Sequence, residues 1–294
     1  MNKTGVEYAD YSWNPITGCF GECGKLCDYC YAKGIARRFA ARVCDDGTEI
    51  RGKVCEEGKI HVLGKPYAYL ALHPSNVGAY KPVRSPYPYG FDPTFHRYRL
   101  ANGKRSPAFI KKPSVIFVGD MADIFGAWVP DWWLEDVVAA CAAAPQHHYL
   151  FLTKNPKGYD RLNYLLDMEY DRGNNNNNDK YLFGFTATNQ KDFDERAAVV
   201  DFYLSPYYRN FVSLEPLFEP IELDGLGREG IEWVIVGADT SNKKDKIIPK
   251  REWVENIVND CYFYGVPVFL KNNLRDVWGA DLIQQYPRGL HHID

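Results

Sequence analysis

"SVIFVGDMADIFGAWVPDWWLEDVVAACAAAPQHHYLFLT", residues 114–153, is the stretch whose reading decides the fold. It opens on an apolar run (114–119) and closes on another, "HYLFLT" at 148–153. Neither run alternates with polar residues, the pattern of strands buried on both faces. Between them "PDWWLEDVVAACAAA" (130–144) reads as a helix, with Pro130 suited to its first turn. Strand, helix, strand in that order implies parallel strands joined by a right-handed crossover.

The same rhythm continues outward. Further buried-strand runs are "YLFGFTA" (181–187), "NFVSLE" (210–215), "IEWVIVG" (231–237) and "VPVFLK" (266–271). Helical patterns follow at "NQKDFDERAAVVDFYL" (189–204) and "PKREWVENIVNDCYFYG" (249–265), the latter bounded by Pro249 and Gly265. With a first strand expected near "EYADYSW" (7–13), the prediction is an α/β fold. It is a complete or partial (β/α) TIM-like barrel of parallel strands, expected to form one domain over residues 1–294. An open doubly wound sheet is the alternative. Residues 41–110, rich in Gly, Pro and Tyr, carry no sustained period and are expected as an inserted irregular lobe or lid. "DRGNNNNND" (171–179) is a low-complexity loop.

The chain has 294 residues, 46% hydrophobic and 25% charged, with a net charge of −3, so no global basic field announces nucleic acid or membrane. A local basic groove remains compatible with that total. No apolar run approaches a membrane span and "MNKTGVEYAD" has no signal-peptide core, so a cytoplasmic protein without membrane partners is expected. In a reducing compartment, eight cysteines suggest metal binding or catalysis rather than a disulfide framework.

Ligands of parallel α/β folds bind at the C-terminal ends of the strands. Those ends present Gly119 and Asp120, Thr153 and Lys154, then Thr186, Thr188 and Asn189. Ser213 and Glu215, Gly237 and Asp239, and Lys271 and Asn272 complete the ring. Strands stop where polarity begins, so any single member is weak evidence; as a ring they favour a polar ligand.

"GCFGECGKLCDYCYA" (18–32) holds Cys19, Cys23, Cys27 and Cys30, with Tyr29 beside the last. Cys23, Cys27 and Cys30 have the spacing C-x3-C-x2-C. Three thiolates on a tight loop can hold three irons of a cubane cluster and leave the fourth open. A zinc site closed by all four cysteines is the competing reading. Cys141 and Cys261 lie in helical patterns as small core residues, while Cys44 and Cys55 share the insert.

These motifs resemble the radical S-adenosylmethionine (SAM) superfamily. More narrowly, "SWNPITGC" (12–19), "CDYCYA" (27–32), "FVGDMADIFGAWVP" (117–130), "FLTKNP" (151–156), "SLEPLFEPI" (213–221) and "WVIVGADT" (233–240) resemble a phage- and prophage-associated family related to the spore photoproduct lyase group. The resemblance implies a [4Fe-4S] cluster, SAM bound at its open iron, and an external electron donor. It implies reductive cleavage of SAM to a 5′-deoxyadenosyl radical. Cys27 and Cys30 are cluster ligands; the third is Cys23 by superfamily spacing or, as the family motif favours, Cys19. Gly119, Asp120 and Met121 occupy the position that binds the SAM amino group, although the usual glycine-glycine-glutamate pattern is absent there. Thr153, Lys154, Thr186, Thr188 and Asn189 fall where ribose and carboxylate are held. Ser213, Glu215, Gly237, Ala238 and Asp239 fall near the adenine or the substrate.

Lys33, Arg37, Arg38 and Arg42 follow the cysteines, and basic groups recur at 104–112 and 242–251, with many tyrosines in the insert. Such interleaving suits phosphate contacts with base stacking, and equally suits solvated faces. The family relation favours modification or repair of a base in DNA or RNA. The alternatives are a small-molecule or peptide substrate, or an iron–sulfur or zinc barrel without SAM chemistry that serves as a binding module.

Overall fold

The computed structural model describes residues 2–21, 26–39, 87, 91–100, 105–162, 165, 178–204, 208–224, 226, 230–241 and 244–290. Cys23, Arg42, Cys44, Cys55, Lys104 and most of the expected insert and asparagine loop lie outside them.

The chain begins with β1 (Asn2–Lys3), β2 (Tyr11–Trp13) and β3 (Ile16–Thr17), followed by α1 (Tyr31–Phe39) and β4 (Thr94–Phe95). The repeating part is β5 (Val115–Val118), α2 (Asp131–Ala142), β6 (His148–Thr153), β7 (Tyr181–Thr186), α3 (Gln190–Tyr203) and β8 (Arg209–Leu214). It ends with β9 (Ile231–Val236), α4 (Arg251–Tyr264), β10 (Val268–Leu270) and the short α5 (Arg275–Trp278). One sheet runs in the order β1-β2-β5-β6-β7-β8-β9-β10, and β3 pairs with β4 separately. From β2 onward the seven strands are parallel, and they curl into a half-barrel. The predicted partial barrel is thus the architecture found.

Every residue of β5, β7 and β8 is buried, which is why these runs carry no polar alternation. Successive residues feed two different cores. Ile116, Val118, Phe151, Phe183, Val212, Val234 and Val268 pack with Trp133, Val137 and Val254 of the helices. Val115, Phe117, Leu150, Leu182, Phe211, Trp233, Ile235 and Phe269 pack with Tyr8 and Leu290 on the concave side. Alternation of Cβ direction therefore aims Gly119, Thr186, Ser213, Gly237 and Lys271 into the mouth of the half-barrel.

Helix ends differ slightly from expectation. Pro130 is the residue before α2, and Lys250 caps α4, so Pro249 lies one residue outside it. Gly265 does end α4, at φ 69°, a left-handed turn that glycine enters without Cβ strain. Cys141 and Cys261 are buried core residues, as expected. The outer edge of β10 is covered: Leu270 N donates to Ile283 O (2.7 Å) and Gln285 N to Val268 O (2.9 Å). At the opposite rim β1 pairs antiparallel with β2. No described helix is long and apolar enough to cross a membrane.

Candidate functional site

The "SWNPITGC" segment lays the cysteine loop against the mouth. Asn14 Oδ1 accepts from Met121 N (3.1 Å), and Gly18 N donates to Met121 O (2.9 Å). Gly18 has φ 85°, and a Cβ there would fall 2.3 Å from Asp92 O, so only glycine fits this approach. Cys19 N then donates to Phe91 O (3.1 Å). Met121 is buried against Ala32 and Ala36 of α1, the helix that follows the cysteines.

Each described thiol of the loop receives an N–H. Gly21 N donates to Cys19 Sγ (3.0 Å), Lys33 N to Cys30 Sγ (3.4 Å), and Lys154 Nζ to Cys27 Sγ (3.2 Å). Cys30 N donates to Cys27 O (3.1 Å), fixing the turn between them. Burial, with the negative charge of Asp123 added, pushes the Cys19 thiol up to about 11. Among the described residues no three His, Cys, Asp or Glu side chains converge as a metal-binding group, and Cys23 is outside them.

Lys154 extends from the end of β6 over the Tyr29 ring, 4.5 Å from its centre, and Tyr29 in turn meets Phe218 edge-on at 5.4 Å. Burial works against the Lys154 ammonium, but Tyr29 and Cys27 outweigh it and push its pKa up to about 12. Asp123, which the strand-end reading missed, holds this lysine in place. Its carboxylate accepts from Thr153 Oγ1 (2.6 Å), Lys154 N (3.0 Å) and Phe125 N (3.2 Å). Its signal was its place in "GDMAD", an acidic residue in the loop that follows a strand end. Thr153 is therefore a structural tie between β6 and that loop.

Asp120 stands next to Gly119, whose φ of 83° turns the chain back over the mouth. Burial raises the Asp120 pKa, and hydrogen bonds from Asn14 and Ser12 only partly oppose it. Its Oδ1 is buried without a hydrogen-bond partner among the described residues. Tyr31 Oη donates to Asp120 O (2.7 Å). Tyr8 rises from the concave core nearby; burial raises its pKa, and Glu215, Tyr31, Glu7 and Asp120 add to the effect.

Across the mouth, Lys271 forms an ion pair with Glu215, which also accepts from Ser213 Oγ (3.2 Å). Gly237 sits between them; a Cβ there would lie 2.6 Å from Glu215 Cγ. The other expected members make contacts within their own loops and helices. Asn189 caps α3 by accepting from Asp192 N (2.8 Å), and Thr188 Oγ1 donates to Asp192 Oδ2 (3.1 Å). Thr186 is buried, and its carbonyl accepts from Arg196 (2.6 Å). Asp239 is buried and accepts from Ser241 N (2.7 Å) and Ser241 Oγ (2.9 Å).

Residues 3–284 match the family described as "Protein of unknown function (DUF5131)". The chain belongs to this family. Among curated proteins no sequence match was found. Similar solved structures include a spore photoproduct lyase variant with dinucleoside spore photoproduct (TM-score 0.51, 12% identity) and a second variant with bound AdoMet and the same dinucleoside (TM-score 0.50, 12% identity). Each alignment covers 92% of this chain and 78% of the lyase chain. At that identity the likeness is one of fold, and it assigns this DUF5131 member the partial barrel of the group its motifs resemble.

Proposed function

We propose that this DUF5131 member is a radical SAM enzyme that modifies or repairs a nucleobase in DNA or RNA. The observation that carries the reading is the contact of Lys154 Nζ with Cys27 Sγ at 3.2 Å, which brings the cysteine loop and the strand-end ring into one site. The donor set suits a [4Fe-4S] cluster: Cys27 and Cys30 with Cys19 or Cys23, the described thiols each receiving an N–H, as cluster sulfurs commonly do. The unpartnered Asp120 Oδ1 suits the ammonium of SAM, and Lys154 suits its carboxylate. Gly237 and Asp239 remain the proposed surroundings of the adenine.

A [4Fe-4S] cluster held by Cys27, Cys30 and Cys19 or Cys23 would supply one-electron reduction, and SAM held by Asp120 and Lys154 would supply a sulfonium whose reductive cleavage yields a 5′-deoxyadenosyl group able to take a hydrogen atom from substrate. The chain's own contribution is placement. Asp123 fixes the Lys154 backbone, so the ammonium keeps one direction. The ammonium lies over the Tyr29 ring, which Phe218 supports edge-on. The chemistry needs an external electron donor, whose place dithionite takes in the assay. The nucleic-acid substrate is supported by the motif resemblance and by a fold shared with a lyase holding a dinucleoside lesion.

The test is anaerobic reconstitution with iron and sulfide, reduction, addition of SAM and assay of 5′-deoxyadenosine. Wild type, Cys19→Ala and Cys23→Ala run side by side. Product from wild type and from one variant alone supports the reading and names the third ligand. A cluster that forms but never cleaves SAM, or that needs all four cysteines, assigns the barrel to a closed structural site instead.

A further inference from the structure

One constellation at the mouth is left unused by cluster and SAM. Ser213 and Glu215 come from β8 and Lys271 from β10, two strands apart, a span of roughly 9–10 Å. Lys271 closes that span only because Gly237, the residue after β9, lies between them; any side chain there would occupy the place of the Glu215 carboxylate. The pair is oriented from below as well: Ser213, fully buried, donates to Glu215, and the Tyr8 ring lies 6.0 Å beneath the Lys271 ammonium. Asn272 N, the next residue, is anchored on Glu7 Oε2 (2.7 Å).

The pair is not sealed. Glu215 and Lys271 keep 20% and 18% of their side-chain surface open, and parity along β8 and β10 directs them into the mouth. The Arg196–Asp192 pair on α3 is comparably exposed, at 13% and 25%; what sets Glu215 and Lys271 apart is their position just past two strand ends, in the mouth. Glu215, Lys271 and Asp120 all lie just past the C-terminal ends of parallel strands, at the same end of the half-barrel.

We infer that Glu215 and Lys271 form the substrate subsite and that they read the lactam edge of a nucleobase. A side-by-side carboxylate and ammonium is neutral in sum, so it selects a neutral ligand over an ion. It offers one acceptor beside one donor, complementary to a ring N–H next to a ring carbonyl. Thymine, uracil and guanine carry that edge. Adenine and cytosine offer an exocyclic amine beside a ring nitrogen; that amine is less acidic than a ring N–H and so the weaker donor to a carboxylate. A base must leave any duplex to present this edge at the bottom of a mouth. The inference deepens the nucleic-acid reading and rests on it.

The test measures binding by the full chain of a short fluorescein-labelled oligothymidylate and of the same oligomer built with N3-methylthymine. Both carry the same phosphates, so the salt-dependent backbone contribution cancels. SAM cleavage is assayed in parallel on the same preparation. Wild type should hold the unmethylated oligomer tighter by roughly tenfold. The double variant Glu215→Leu/Lys271→Met removes both charges together, which a fold tolerates better than loss of one; in it the preference should vanish. Equal binding of the two oligomers by wild type, binding of neither, or a preference that survives in the double variant overturns the subsite. Failure of SAM cleavage beside an intact preference overturns the radical chemistry alone.

Discussion

Lys154 Nζ donates to Cys27 Sγ at 3.2 Å, joining positions 127 residues apart in the chain. The ammonium thus stands at the boundary between the loop that would carry a cluster and the barrel that would carry its ligand. Lys154→Met should leave the fold intact, because methionine keeps a flexible stem of similar length and Asp123 still accepts from the backbone N–H at this position. It should weaken SAM binding about tenfold or more, the worth of one charge-assisted hydrogen bond. The perturbation that SAM causes in the electron paramagnetic resonance signal of the reduced cluster reports this directly. An unchanged titration would remove Lys154 from the SAM site.

Asp120 should make stability depend on pH in an unusual direction. Its folded pKa is raised above the ordinary 3.8, so the native state holds its proton where the unfolded state has released it. Between those two values the native state binds more protons, and stability falls as pH rises. Asp120→Asn should lose that slope and equal or exceed wild type in stability above the window, while binding SAM less well. Paired urea melts across the window check the sign; identical slopes for both proteins would refute it.

Gly237→Ala forces a methyl to within 2.6 Å of Glu215. The Glu215 atoms it meets are the far end of a flexible, partly exposed side chain, so the carboxylate turns aside and the loss is that of the Lys271 ion pair, about 1 kcal/mol or less. The expected result is a urea midpoint close to that of wild type, with the preference for the unmethylated oligomer lost. A large drop in the midpoint would mean that Glu215 has no other place to go.

Asp123→Ala removes the acceptor shared by Thr153 Oγ1, Lys154 N and Phe125 N. Loss of that network should cost on the order of 3 kcal/mol. Thr153→Val should cost less, since the two backbone donors keep their acceptor. If the two variants melt together, Asp123 binds its partners less tightly than the geometry indicates.

The parallel strands were legible because their apolar runs are unbroken, and the mouth followed from topology alone. What the runs concealed is which residues face the helices and which the concave side. With both faces buried, Phe117 and Val118 look alike in sequence, yet they join different cores. Tyr8 was hidden for another reason: it sits in the turn before β2, inside the stretch expected as the first strand. Thr188 and Asn189 have the chemistry of ligands, but Asn189 stands three residues before Asp192 at a helix start, and capping claims its side chain. Asp123 escaped because its function lies in backbone amides that no motif spells out.

The two rims of the sheet bear on self-association. A half-barrel with long bare edge strands would invite pairing with another copy of itself. Here one margin is β1, a strand of two residues, and at the other the 283–285 segment occupies the backbone groups of β10. Among the described residues neither margin therefore presents a long run of unpaired strand, and a parallel sheet that stops short of a closed ring keeps from adding strands at its ends.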